Sequence, residues 1–190
     1  LILPLVAQKM GMTGTFASAQ DHAPETTVVG VYTMNDPIQR ARTIFGSRTG
    51  VVHGEIRRTY AELGERIDRV GALMRQLTEP GDRVALWSLN SDKFLELFFG
   101  IPISGRVVVP HNTRWAQPEL VYATEDAGAK VLICDRDPGG LAASVDRVIR
   151  LDTDEYESLL SSASIDDLIS DVQVVPDTLA GLFYTGGTTG

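Results

Sequence analysis

Apolar side chains between residues 59 and 77 recur every three or four positions, which predicts one amphipathic helix with a single face toward a core. Thr59 and Glu62 have the spacing of a capping box at the start of this helix. The preceding residues, 51–59, predict two short strands joined by a turn at Gly54. This part of the chain therefore predicts a hairpin followed by a long helix.

A shorter helix is predicted before the hairpin. The run Asn35-Asp36-Pro37 supplies an N-cap residue and a first-turn proline, and Gly46 supplies a stop signal. Residues 11–30 are rich in small and polar residues and have neither helical nor strand periodicity. We therefore expect residues 1–34 to be a loose leader and residues 35–190 to form one domain.

Strand and helix patterns alternate from Pro80 onward. Asn90-Ser91 and Gln117-Pro118-Glu119 predict two helix starts, and Gly128 predicts the end of the second helix. The strands are short and almost wholly apolar, as expected of strands covered on both faces: residues 83–89, 107–109, 131–133 and 148–151. This alternation predicts the α/β class, with a mainly parallel sheet and flanking helices.

The last part of the chain changes character twice. Residues 152–178 are acidic and rich in serine, which predicts a solvated helix with acidic loops that serves solubility alone. Residues 179–184 are apolar and predict one more short strand. That strand leads directly into a loop of glycine and threonine.

Charge and composition narrow the choice of partners. The 190-residue chain has a net charge of -8, and its 17 Lys and Arg residues are scattered, so no basic surface for nucleic acid is predicted. The opening run, residues 1–7, is shorter than the roughly 20 apolar residues of a membrane span, and no Lys or Arg precedes it as in a signal peptide. The single cysteine, Cys134, lies in an apolar run and is predicted to be buried. We therefore expect a cytoplasmic protein without a transmembrane segment.

Six residues at the end of the sequence carry the strongest chemical signal. Their glycines let the backbone turn sharply and direct N–H groups into one concavity, while their threonine hydroxyls can donate to phosphate oxygens or ligate Mg²⁺. The loop has neither the Gly-Lys-Ser/Thr of a Walker loop nor the Gly-x-Gly-x-x-Gly of a dinucleotide fingerprint. A glycine-rich turn without a ligand is the alternative. The predicted phosphate-binding residues are Thr185, Gly186, Gly187, Thr188, Thr189 and Gly190.

The run of residues 183–190 resembles the first two thirds of the signature of the adenylate-forming superfamily. This superfamily includes acyl-CoA synthetases, aryl-CoA ligases, luciferases and peptide-synthetase adenylation domains. Residues 81–100 and 105–130 are similar to two earlier sequence blocks of the same family. The resemblance covers residues 36–190 and implies the first part of the large N-terminal domain of these enzymes, most similar to a stand-alone acyl-CoA synthetase.

Two positions depart from the family pattern. His111 stands where an apolar residue is usual, and Gly186 stands where serine is common, so a phosphate contact there must come from the backbone. No metal-type spacing links the three histidines, which are expected on the surface or in loops: His22, His53 and His111. Two tryptophans are predicted to be packing residues: Trp87 and Trp115. Three aspartates are predicted as cap or turn acids: Asp36, Asp82 and Asp126.

The resemblance implies a reaction in two steps. A small-molecule carboxylic acid, a fatty or other acyl acid, attacks the α-phosphorus of ATP to give an acyl-adenylate and pyrophosphate, and the thiol of coenzyme A then displaces AMP. The six loop residues would wrap the β- and γ-phosphates, with the hydroxyl of Thr188 or Thr189 near Mg²⁺. Such chemistry depends on placed donors and metal rather than on a protein nucleophile, so no catalytic residue is assigned in this chain.

Other site residues of the family, including the loop lysine, are expected after Gly190. We therefore expect the chain to be an N-terminal piece of a longer enzyme and to be inactive by itself. Two other functions are left open by the sequence: a non-catalytic α/β binding domain, and the adenylation domain of a peptide synthetase.

Overall fold

The computed structural model describes residues 33–165 and 174–185 and has the predicted α/β arrangement. Nearly all of the predicted leader, residues 1–34, lies outside the described residues. Within the described ranges, no helix is both long enough and apolar enough to cross a membrane. The elements in chain order are α1 (Asp36–Phe45), β1 (Thr49–His53), β2 (Ile56–Thr59), α2 (Tyr60–Leu77), β3 (Arg83–Trp87), α3 (Asp92–Ile103), β4 (Val107–Pro110), α4 (Gln117–Ala127), β5 (Ala129–Cys134), a 3₁₀ helix (Gly139–Ser144), β6 (Arg147–Arg150) and α5 (Glu155–Ser162).

Four strands form the main sheet in the order β4-β3-β5-β6, and every neighbouring pair is parallel. Leu86 of β3 lies beside Pro110 of β4 and Ile133 of β5. The chain moves outward from β3 to β4 and then returns past β3 to β5, so the direction of progress reverses at β3. Open α/β sheets bind ligands at the carboxyl ends of their strands, next to such a reversal.

Consecutive residues of β3 point to opposite faces of this sheet. Val84 and Leu86 pack with α2, α3 and α5, whereas Ala85 and Trp87 pack with α4 and the 3₁₀ helix. Cys134 lies in the second of these clusters and is buried, as predicted, and burial raises the pKa of its thiol. Both faces of the sheet are covered, which explains why its strands read as continuous apolar runs.

Three of the predicted helix boundaries are confirmed in atomic detail. The Thr59 N–H donates to the Glu62 carboxylate at 2.7 Å, and the Glu62 N–H donates to the Thr59 hydroxyl at 3.2 Å, which completes the capping box of α2. The Ser91 hydroxyl accepts the N–H of Phe94 at 3.0 Å at the start of α3. Gly128 ends α4 in the left-handed region at φ 62°.

The start of α1 differs from the prediction. Asn35 has a helical backbone, and its side chain accepts a hydrogen bond from Gln39 at 3.2 Å instead of capping the helix. Asp36, in the first turn, instead ties the helix start to the preceding residues. Its carboxylate accepts hydrogen bonds from the backbone N–H and the hydroxyl of Thr33, and these bonds lower the pKa of Asp36. The helix ends before Gly46, as predicted.

The hairpin of β1 and β2 is antiparallel and turns at Gly54, which has a φ of 57°. Beside it, Ile38 of α1 packs with Leu63 and Ile67 of α2 in a third apolar cluster. The amphipathic face predicted for α2 thus contacts two clusters, one beneath α1 and the other on the sheet.

A partly buried ionic cluster joins α2, α3 and α5. Glu96 is fully buried and accepts two hydrogen bonds from the Arg66 guanidinium, at 2.5 and 2.7 Å, and one from the Tyr156 hydroxyl at 2.6 Å. Arg66 also donates to Glu157 at 2.9 and 3.0 Å. Burial opposes the positive charge, but Glu96 and Glu157 together raise the pKa of Arg66 above its ordinary value.

The expectation of a solvated helix within residues 152–178 is wrong for one face of α5. Tyr156 and Leu160, four residues apart on one helix face, are buried in the main cluster. Glu157 beside them is held by Arg66. The acidic composition of the segment did not predict the burial of Tyr156 and Leu160, because these are only two residues and they pack against residues far away in sequence.

Candidate functional site

The chain approaches the predicted phosphate loop along the outer edge of β4. Gly181 pairs in parallel with Val108: the Val108 N–H donates to the Ala180 carbonyl at 3.0 Å, and the Leu182 N–H donates to the Val108 carbonyl at 2.9 Å. A Cβ on Gly181 would lie 3.1 Å from the Val108 carbonyl oxygen, so a side chain would crowd this bridge. Because the pairing is parallel, the residues after Gly181 run toward the carboxyl edge of the sheet.

The predicted strand over residues 179–184 is reduced to this single bridge. Leu179 and Phe183 are 38% and 55% exposed. Within the described part of the chain, the segment has a strand neighbour on one side only, which explains why its apolar side chains are incompletely covered.

The two aromatic residues before the loop lie against different elements. The Phe183 ring is 6.2 Å from the Phe98 ring on α3. The Tyr184 ring meets the Trp115 ring edge-on at 6.4 Å, and the Tyr184 hydroxyl donates to the Asp126 carboxylate at 2.6 Å. Asp126 is therefore not a cap or turn acid, as the sequence suggested, but the acceptor for Tyr184. Burial and this hydrogen bond raise the pKa of Tyr184, so the hydroxyl stays protonated at physiological pH.

His111 directly follows β4 in a loop, as expected, but its side chain is buried rather than at the surface. Its Nε2 lies 2.7 Å from the Thr124 hydroxyl, and that hydroxyl donates to the Leu120 carbonyl at 2.8 Å. A hydroxyl has one hydrogen, so with Thr124 donating to Leu120, Nε2 is the donor in its contact with Thr124. Nδ1 is buried without a hydrogen-bond partner among the described residues. Burial lowers the pKa of His111 to about 4.

The neutral imidazole explains how His111 occupies a position that is usually apolar in the resembled family. Its ring lies 5.9 Å from the ring of Trp115, which packs on the α4 side of the sheet as predicted. The contacts therefore run in sequence from α4 through His111 and Trp115 to Tyr184, next to the start of the loop.

A second polar group lies at the carboxyl ends of β3 and β5. Asp135 accepts the backbone N–H of Leu89 at 2.8 Å and the Nε–H of Arg136 at 2.7 Å, and the Ser88 hydroxyl lies 3.3 Å from its carboxylate. Burial would raise the pKa of Asp135, but these hydrogen bonds outweigh it and hold the pKa below its usual value. The sequence analysis missed this residue, although an aspartate directly after a buried strand was a usable signal.

The remaining histidines do not form a metal site in the described ranges. His53 is half exposed and its Nδ1 lies 2.9 Å from Asp92, which also accepts from Arg58 at 2.9 Å. Burial would raise the pKa of Asp92, but these two partners lower it overall. His22 lies outside the described residues. No group of three or more His, Cys, Asp or Glu side chains in the described ranges is arranged to hold a metal ion.

Thr185 is exposed and directly follows the anchored Tyr184. It is the one predicted phosphate-binding residue that the structure describes. The other five lie outside the described residues: Gly186, Gly187, Thr188, Thr189 and Gly190.

Comparison with known proteins identifies relatives of this chain. A family model described as AMP-binding enzyme matches residues 38–190. A feruloyl-CoA synthase of an Amycolatopsis species is 36% identical over 157 residues, which cover 81% of this chain and 30% of the relative. The long-chain-fatty-acid–CoA ligase FadD13 of Mycobacterium tuberculosis is 34% identical over 149 residues, which cover 72% of this chain and 28% of that relative.

A solved structure supports the same relationship. The Mycobacterium tuberculosis fatty acyl CoA synthetase superposes with a TM-score of 0.70 at 27% identity, covering 80% of this chain and 32% of that protein. The chain thus spans about a third of the length of this structure, and slightly less of the two relatives by sequence.

Proposed function

Because the chain belongs to the family of AMP-binding enzymes, we propose that it is the N-terminal part of an ATP-dependent acid–thiol ligase. The whole protein would join a carboxylic acid to coenzyme A through an acyl-adenylate. One observation carries the proposal: the glycine–threonine loop begins at Thr185, directly after a segment that pairs in parallel with Val108 of β4 and runs toward the carboxyl edge of the sheet. Phosphate groups bind at this edge in open α/β sheets.

The loop would act by positioning and by charge stabilisation. Its backbone N–H groups and the hydroxyls of Thr185, Thr188 and Thr189 would donate to the β- and γ-phosphate oxygens of ATP. Gly186, Gly187 and Gly190 would let those oxygens approach the backbone closely. The negative charge that develops as pyrophosphate leaves would then be met by donors already in place.

Magnesium would reach the site with the nucleotide. Mg²⁺ in nucleotide sites is usually held by one or two carboxylates together with substrate phosphates. An exposed threonine hydroxyl at the start of the loop is a suitable hard-oxygen donor, and the sequence supplies two more at Thr188 and Thr189. The ion would neutralise the phosphate charge, which is the chemistry that a neutral loop cannot supply by itself.

The acid would be a fatty or other acyl acid, and the enzyme would work in the cytoplasm. The named relatives support a CoA ligase but differ in their acids, since one is a feruloyl-CoA synthase and another acts on long-chain fatty acids. We also propose that the 190 residues alone do not catalyse adenylation, because the chain spans about a third of these proteins. Pyrophosphate exchange by the 190-residue chain would overturn this part of the proposal.

The binding step can be tested in the complete protein that contains these residues. We expect Thr188→Val and Thr189→Val each to weaken MgATP binding several-fold in calorimetry, because each removes one phosphate donor. Thr43→Val, which changes an exposed threonine on α1, is the matched control and should bind MgATP as the wild type does. Wild-type protein that does not bind MgATP would support a non-catalytic α/β domain instead.

A further inference from the structure

The segment that enters the phosphate loop is held at three points within four residues. The backbone at Gly181 is bonded to β4, the Phe183 ring contacts α3, and Tyr184 reaches α4. The first of these contacts sets the position of the chain along the strand. The other two contacts lie on separate helices and restrict how the chain can turn as it leaves the sheet.

Tyr184 is the last of these points before the loop. Its hydroxyl donates to Asp126 at 2.6 Å, a short distance typical of a hydrogen bond to a carboxylate, and its ring meets Trp115 edge-on. Asp126 lies in the last turn of α4, and Thr124 on the same helix holds His111, which contacts Trp115. Helix α4 therefore contacts Tyr184 directly through a hydrogen bond and indirectly through the rings of His111 and Trp115.

We propose that Asp126 and Tyr184 are positioning residues for the phosphate loop, a role that rests on the function proposed above. Their hydrogen bond fixes the direction in which Thr185 leaves the sheet edge. Neither side chain needs to touch ATP. Loss of the bond would let the entry segment open more often, so MgATP would bind less tightly while the chemistry of the bound complex changed little.

The first experiment needs no nucleotide and uses the complete protein that contains these residues. Amide hydrogen exchange of Leu182 reports the bridge to β4, because its N–H donates across that bridge. We expect Tyr184→Phe and Asp126→Ala each to speed this exchange about five-fold, while the amides of β3 keep their wild-type rates. Tyr122→Phe is the matched control, since it removes the hydroxyl of an exposed tyrosine on α4.

Two further variants separate the pair from a general loss of stability. The double variant Tyr184→Phe/Asp126→Ala should exchange no faster than either single variant, because both changes break one bond. Asp126→Asn keeps an acceptor oxygen and should restore most of the protection. Unchanged exchange in Tyr184→Phe would overturn the proposal, and so would equal acceleration throughout β3.

The second experiment uses the complete protein. Tyr184→Phe should raise the KM for MgATP about five-fold and leave kcat and the KM for the carboxylic acid within two-fold of wild type. Loss of kcat with an unchanged KM for MgATP would contradict a positioning role. If the wild-type protein activates no carboxylate, the proposed function fails, and the exchange experiment still decides whether the pair fixes the segment.

Discussion

Lowering the pH should destabilise this protein through His111 in particular. The imidazole is 5% exposed, and burial lowers its pKa to about 4, whereas an unfolded histidine titrates near 6.5. Well above pH 6.5 the histidine is neutral in both the folded and the unfolded state, and the full stability is present. Below pH 6.5 His111 binds a proton in the unfolded state but stays neutral in the folded state. The free energy of unfolding therefore falls until the folded histidine also titrates near pH 4.

The magnitude follows from the two pKa values. Each pH unit between them is worth about 1.4 kcal/mol, so from pH 7.5 to pH 5 this residue alone should cost about 2 kcal/mol. His111→Leu and His111→Gln remove the titration, one with an apolar and one with a polar side chain. Both variants should therefore lose about 2 kcal/mol less than the wild type over this range, whatever their stabilities at pH 7.5.

Urea unfolding followed by tryptophan fluorescence at pH 7.5, 6 and 5 measures this difference directly. The comparison between variants cancels the carboxylates, which titrate in all three proteins. The reasoning is refuted if the wild type and both His111 variants lose stability in parallel as the pH falls.

Two further predictions concern packing and charge in the same assay. Glu96→Ala should destabilise the protein by about 3 kcal/mol, because it leaves the half-buried Arg66 guanidinium without its main partner and the buried Tyr156 hydroxyl without its acceptor, whereas Glu65→Ala, which removes an exposed helix pair, should cost less than about 0.5 kcal/mol. Equal effects would show that burial of the pair is unimportant. Gly100→Ala should cost about 2 kcal/mol because its new Cβ would lie 2.5 Å from Val70, while Gly140→Ala, which meets nothing within 4 Å, should be neutral. A neutral Gly100→Ala would mean that α2 and α3 can separate freely.

The elements that the sequence predicted well are those fixed by local rules. The capping box of Thr59 and Glu62, the αL glycine at 128 and the apolar strands all depend on residues within one or two turns of each other. The contacts that it missed join distant residues. Arg66 and Glu157 are 91 positions apart, and no periodic pattern in the sequence predicts their ion pair.

The candidate site shows the same division. The composition of the loop predicted phosphate binding, and its resemblance to a family signature implied the proposed reaction. The sequence could not predict that Tyr184 would be tied to Asp126, 58 positions away, or that His111 would be buried. Both contacts depend on how α4 packs against the sheet. The residues next to Asp126 or His111 in sequence do not indicate that a distant hydroxyl will form a hydrogen bond with it.

The proposed function is tested most directly by carboxylate-dependent exchange of labelled pyrophosphate into ATP by the complete protein, with a panel of aromatic and fatty acids. We predict exchange that requires Mg²⁺ and at least one acid of the panel, followed by thioester formation when coenzyme A is added. Protein that binds MgATP yet supports no exchange with any acid, and forms no acyl-CoA, would contradict the assignment as an acid–thiol ligase.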